Sequence, residues 1–222
     1  MSKKILEIAC FNLESALIAQ SAGADRIELC VDYSSGGLSP DIELVKRALK
    51  TIHIPLHVIV RSRAGDFSYN ESELQQMADF TTLCNLAGVK GIVFGALKKD
   101  GNIDFEACKA IKKVAGSMWL TFHRAIDECF DIKQGLSDVI SLGFHRVLTS
   151  GGKPNALEGL QTIKQLQTEF GDKIVIMPGG GVRSNNIQEL LDTGCSEFHS
   201  AAITGTDVSP DSNEIKNLKQ FL

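Results

Sequence analysis

In this 222-residue chain, Arg, His, carboxylate and Gly residues gather where short β-rich runs give way to turns. One run ends Arg61-Ser62-Arg63-Ala64-Gly65-Asp66-Phe67, and its two guanidinium groups suit a clamp on an anion. Another ends Thr121-Phe122-His123-Arg124-Ala125-Ile126-Asp127. His123 and Asp127 put an imidazole and a carboxylate on one side of a turn. That suits a general acid–base oriented by a carboxylate, or two ligands of a divalent metal, with His199 able to join them. Ser150-Gly151-Gly152 and Gly179-Gly180-Gly181 each lie between a strand-like run and a helix. Glycine amides approach an anion closely and the helix dipole adds to them, although the same loops also read as tight turns. Ser184 stands where a dinucleotide fingerprint needs its third glycine, so no nucleotide cofactor is expected. Neither a Ser nucleophile elbow, an HExxH helix nor a Walker loop is present.

The elements that must carry these residues follow one rhythm. β-rich runs over 5–10, 26–30, 56–61, 91–95, 119–123, 146–149, 174–177 and 197–200 alternate with helical patterns such as Leu74-Met77-Ala78-Thr81 and Leu157-Leu160-Ile163-Leu166. Asn12, Asp41, Asn70, Asp131, Asn155 and Ser184 are helix-start residue types, and Gly23, Gly88, Gly143 and Gly194 close helices. Roughly eight β-α units predict a (β/α)₈ TIM barrel: a single α/β domain over residues 1–222, with 203–222 forming a polar turn and a last short helix. The alternative, an open doubly wound sheet, would carry a glycine fingerprint after its first strand, where this chain reads Cys10-Phe11-Asn12-Leu13. In a barrel the chemistry sits at the C-terminal ends of the strands, where the Arg, His and Gly phrases fall.

Alternation assigns faces. Glu7 and Ala9 share one face of the first strand, and Ile8 and Cys10 the other. Arg26, Glu28 and Cys30 align, as do His57, Ile59, Arg61 and Arg63, and as do Glu197 and His199. Charges inside a barrel must be paired, so Glu7, Glu28, Arg61 and His123 form either a structural salt-bridge network or a catalytic or ligand-binding one. His53 and His145 sit beside turns and read as surface or structural residues.

The chain is 43% hydrophobic and 23% charged with a formal charge of −4, which excludes disorder and gives no reason to expect a nucleic-acid partner. It has no apolar run long enough to span a membrane, and Glu7 interrupts any signal-like run. The six cysteines are scattered without metal-type spacing, so a cytoplasmic protein with free thiols is expected.

Six phrases together resemble the signatures of the CutC copper homeostasis family. They are Gly23-Ala24-Asp25-Arg26-Ile27-Glu28-Leu29-Cys30, Gly36-Gly37-Leu38-Ser39-Pro40, Arg61-x-Arg63-x-Gly65-Asp66-Phe67-x-Tyr69, Thr121-Phe122-His123-Arg124-Ala125-x-Asp127, Leu148-Thr149-Ser150-Gly151 and Pro178-Gly179-Gly180-Gly181-Val182. The resemblance implies a TIM barrel, a cytoplasmic location, self-association into a homo-oligomer, and a link to copper tolerance and Cu(I) binding, with Cys30 as a metal ligand. It also implies a departure, since many family members carry a cysteine where this chain has Ala9. Cu(I) wants at least two soft donors, and alternation turns Cys10 away. The residues themselves favour a small anionic ligand and a second expectation, an isomerase, lyase or hydrolase. In that reading Arg61 and Arg63 clamp the substrate, aided by Arg124, His199 and Ser200. Ser150, Gly151, Gly179 and Gly180 hold its phosphate or carboxylate, and His123, with Glu7, Glu28 or Asp127, transfers a proton.

Overall fold

Eight β-branched and aromatic runs form parallel strands in a computed structural model that describes residues 4–222. They are β1 (Ile5–Cys10), β2 (Arg26–Leu29), β3 (Leu56–Ile59), β4 (Gly91–Phe94), β5 (Trp119–Phe122), β6 (Arg146–Thr149), β7 (Val175–Pro178) and β8 (Glu197–Ser200). The sheet runs β7-β6-β5-β4-β3-β2-β1-β8, and β8 lies beside β7, so the ring closes into the expected (β/α)₈ barrel. The strands are shorter than several of the runs. Cys30, Arg61 and His123 therefore lie just beyond strand ends, in the barrel mouth.

Outward-facing Leu6, Ile8, Ile27, Leu29, Ile92, Phe94, Phe122 and Phe198 are fully buried against the surrounding helices. These helices are α1 (Leu13–Ser21), α2 (Ile42–Thr51), α3 (Glu71–Ala87), α4 (Phe105–Ala115), α5 (Ile132–Ser141), α6 (Leu160–Phe170), α7 (Ile187–Leu191) and α8 (Ser212–Phe221). Among the described residues no helix is long and apolar enough to cross a membrane.

Asn12, Asp41, Asn70 and Asp131 cap helices as their residue types predict. Asn70 forms a full capping box with Glu73 at the start of α3, so Asn70→Ala should lower stability by about 1 kcal/mol in urea denaturation. Asn155 and Ser184 do otherwise. Asn155 accepts from the Glu158 amide in a turn, and α6 starts only after Gly159, where a Cβ would fall 1.8 Å from the Ser150 carbonyl oxygen. Ser184 bonds through its amide and hydroxyl to Glu214 of α8, and α7 begins at Ile187. Gly23, Gly88, Gly143 and Gly194 all take positive φ at helix ends. In the tail, α8 buries Ile215 and Leu218 where it packs on α1 and α7, but Phe221, which shares their helical period, stays exposed.

Candidate functional site

Inward-facing residues of β1, β2, β6 and β8 form a buried chain of charges. Glu7, wholly inaccessible, accepts from Arg26 Nε at 2.5 Å through one oxygen and pairs with His199 Nδ1 at 2.7 Å through the other. Arg26 and Arg146 both reach Glu197, each at 2.6 Å. Toward the C-terminal mouth, His199 Nε2 stands 3.6 Å from Glu28. Burial pushes the Glu7 carboxyl up, but Arg26, His199 and Arg146 outweigh it and hold the group well below the usual carboxylate range. Burial disfavours the His199 imidazolium, yet Glu28 and Glu7 raise it above its ordinary value. Burial raises Glu28 to about 7, with His199 opposing and Glu7 reinforcing the shift.

The Glu28 shift has a definite sign for stability. Between about pH 4.5 and 7 the folded state holds a proton that the unfolded chain has released, so the contribution of Glu28 to stability falls as pH rises through that window. Glu28→Gln should flatten this slope and stabilise the protein at pH 8 by about 1–3 kcal/mol, read from urea denaturation at several pH values.

Above this chain lies a cavity of about 290 Å³ at the C-terminal mouth. Glu28, Cys30, Arg61, His123, Arg124, Gly180, His199 and Ser200 line it, together with Phe11, Phe67 and Arg183. Arg61 donates to the carbonyls of Ser35 (2.7 Å), Gly37 (3.4 Å) and Gly65 (2.8 Å), and its guanidinium lies against the Phe67 ring. Arg183 donates to the carbonyls of Val182 (2.8 Å) and Ile203 (3.0 Å) and to Ser200 Oγ (3.1 Å). Among the described residues neither guanidinium has a carboxylate at salt-bridge distance. Two held cations without counter-charges therefore face one cavity. Arg183 is absent from the sequence reading, although it immediately follows the Gly179–Val182 phrase and so falls at the same mouth.

Several expected partners separate. Arg63 does not join Arg61, because it turns to Glu73 (2.6 Å) and Asp66 (2.9 Å) and packs on Tyr69, bracing its own loop. Asp127 does not orient His123. Its carboxylate accepts from Thr149 Oγ1 (2.5 Å), the Ser150 amide (2.9 Å), the Gly152 amide (3.0 Å) and Arg124 Nε (2.9 Å). The Gly151 amide goes to Thr149 Oγ1. An internal carboxylate thus fills the Ser150-Gly151 nest that was expected to hold a ligand anion. Gly179 donates to the Thr149 carbonyl, and a Cβ there would fall 2.3 Å from the Leu148 side chain, so close packing explains this glycine. Ser200 acts through Arg183, accepting from it while donating to Val182 O at 2.7 Å.

His123 accepts from the Ala125 amide at 3.1 Å through Nδ1, and its Nε2 is buried without a partner. Burial, reinforced by Arg61, lowers it to about 3, so it is neutral. His57 is likewise lowered to about 3 by burial. Inner-face glycines make room for both rings. A Cβ on Gly95 would fall 2.6 Å from His123 Nδ1, and one on Gly91 2.7 Å from His57 Nε2. His145 accepts from the Leu120 amide and packs on Trp119, a structural role as expected.

The sequence profile described as the CutC family matches residues 4–204. The chain belongs to the CutC family. It is 44% identical over 198 residues to the family protein CutC of Xylella fastidiosa (strain 9a5c), covering 89% of this chain and 74% of that one. It is 41% identical over 204 residues to the human protein named copper homeostasis protein cutC homolog, covering 91% of this chain and 75% of the human one. The crystal structure of the copper homeostasis protein CutC of Streptococcus agalactiae superposes with a TM-score of 0.85 at 30% identity, covering 89% of this chain and 98% of that one.

The soft donors expected of a CutC-type copper site do not converge here. Cys30 lines the cavity beside Ala9, and its thiol donates to the Cys10 carbonyl at 3.4 Å. Burial, then Glu28, pushes that thiol well above its ordinary value. Cys10 points to the helices, and the Met177 sulfur accepts from Arg26 Nη2. One protonated thiol does not fit a tight Cu(I) site, which takes two or more soft ligands. Among the described residues no group of three or more His, Cys, Asp or Glu is arranged to hold a metal ion.

Proposed function

We propose that this CutC-family barrel serves copper homeostasis, the role stated in the name of its human relative, and does so by binding a small organic anion in the barrel mouth. The observation that carries the reading is the pair Arg61 and Arg183, two cavity-lining guanidiniums held by neutral oxygens and without a carboxylate partner among the described residues. A ligand carboxylate or phosphate supplies the missing charge, and charge-assisted bonds of this kind are the strong ones. Arg124 and Gly180 border the same cavity and complete its polar rim.

A second reading makes the pocket the site of an isomerase, lyase or hydrolase. It is supported by Glu28 and His199, an ionisable pair open to the cavity and backed by Glu7. The reading also includes a cytoplasmic location, supported by six free thiols, and self-association, supported by the family resemblance alone.

Thermal shift on the reduced protein tests the ligand class. A ligand at 100 times its Kd that binds only the folded state adds about 2.7 kcal/mol, a shift of several degrees for a domain of this size. Phosphate or oxalate should raise the Tm of the protein and not that of Arg61→Met. A rise with Cu(I) alone, abolished by Cys30→Ala, would replace this reading with a thiol site.

A further inference from the structure

The expectation that His123 moves the proton conflicts with its bonds. Its Nδ1 is spent capping the turn at Ala125, its ring is wedged over Gly95 against Phe67, and its Nε2 is sealed from solvent. His199 is arranged differently. Nδ1 is fixed by Glu7 at 2.7 Å, a carboxylate that is itself anchored by Arg26 at 2.5 Å. Its other nitrogen, Nε2, is directed to the cavity side, 3.6 Å from Glu28, and both residues line the cavity. A buried carboxylate behind an imidazole whose far nitrogen faces a ligand cavity is the arrangement that orients a proton-transfer histidine. The charged groups around it are Glu7 from β1, Glu28 and Arg26 from β2, and Arg183 beyond Ser200 at the mouth.

We infer that Glu28 and His199 form the proton-transfer pair of this pocket, with Glu7 as the positioning residue, acting on a small anionic carbonyl compound. This rests on the anion-binding reading above. The ligand's anionic group lies with Arg61 and Arg183. Glu28 takes a proton from the carbon next to the carbonyl: the C–H bond breaks, an O–H bond forms on Glu28, and the electron pair moves onto the carbonyl oxygen. The His199 Nε2–H donates to that oxygen while it carries the charge. Glu28 then returns its proton to the same carbon or to a neighbouring atom, so the cycle needs no co-reactant and amounts to exchange or isomerisation. A buried carboxylate with a pKa near 7 beside the cavity is a suitable base for such a step.

Histidine NMR with oxalate, an enolate-like dianion, and solvent exchange of pyruvate methyl protons in D2O test the assignment together. His199→Gln identifies the His199 resonance. The expected result is that oxalate shifts His199 and leaves His123 in its Nε2–H form. Glu7→Gln should lower the His199 titration midpoint by at least one pH unit. The protein should speed pyruvate exchange at least tenfold over buffer, and Glu28→Gln should lose that acceleration while the His123 resonance reports an intact fold. Oxalate shifting His123 but not His199 would overturn the assignment and leave the anion pocket standing. Oxalate perturbing His199 without any accelerated exchange would overturn the proton transfer. If oxalate shifts neither histidine, the anion pocket itself is refuted.

Discussion

Glu7→Ala should destabilise this protein by about 3–5 kcal/mol in urea denaturation at pH 7, the largest loss expected of any single side chain at the site. The reason is asymmetry. The pairing of Glu7 with Arg26 and His199 gains little over water once desolvation is counted, but removing its acidic member leaves part of a guanidinium buried without its counter-charge and strips His199 of the nearer of its two carboxylates, leaving only Glu28 at 3.6 Å. Glu197 still holds Arg26 at 2.6 Å, which limits the loss on that side. The acid limb follows the same logic. The Glu7 pKa is held below the ordinary carboxylate value of about 4.5, so its stabilisation is present above that pH and lost as pH falls further. Glu7→Ala should therefore also blunt acid denaturation. A loss below about 1 kcal/mol would mean that the charge chain is not the structural backbone of the barrel interior.

Asp127→Ala should cost about 2–4 kcal/mol, because it strands the Ser150 and Gly152 amides and the Thr149 hydroxyl in a half-buried nest. Its signature distinguishes it from an ordinary core truncation. The vacated nest is shaped for a carboxylate, so acetate or formate at tens of millimolar should restore part of the lost Tm, raising the Tm of the variant by more than that of the parent protein. Equal salt effects on both proteins would contradict the view that Asp127 occupies an anion site. The same substitution frees Arg124 from its 2.9 Å partner and adds a third unpaired cation at the cavity rim.

The barrel was legible because its code is periodic. Alternation placed Glu7, Ala9, Glu28 and Cys30 inside and Ile8 and Cys10 outside, as the contacts of both carboxylates with His199 and the two apolar clusters have them. Capping types at Asn12, Asp41, Asn70 and Asp131 carried real helix starts. Failures came where one side chain chooses among partners that lie far apart in sequence. Arg63 aligns with Arg61 by alternation, but the chain leaves β3 after Ile59, so period two no longer governs Arg63 and Glu73 captures it. Asp127 is four residues from His123, yet its turn aims it at the amides after β6. Ser184 is a good cap type claimed by Glu214, thirty residues on. Arg183 was missed because one Arg after a glycine loop has no local mark; what singles it out is the lack of a carboxylate partner among the described residues, a property of the folded state.

Calorimetric titration with oxalate of the reduced protein and of the Arg61→Met/Arg183→Met double variant bears most directly on the site. Each guanidinium removed deletes charge-assisted contacts worth about 1.5–3 kcal/mol, or roughly tenfold to hundredfold in affinity. The predicted result is one oxalate per chain, with binding lost in the double variant while Cys30→Ala binds as the parent does. Unchanged oxalate binding in the double variant would contradict it, as would tight Cu(I) binding that needs Cys30 in a protein that takes up no anion.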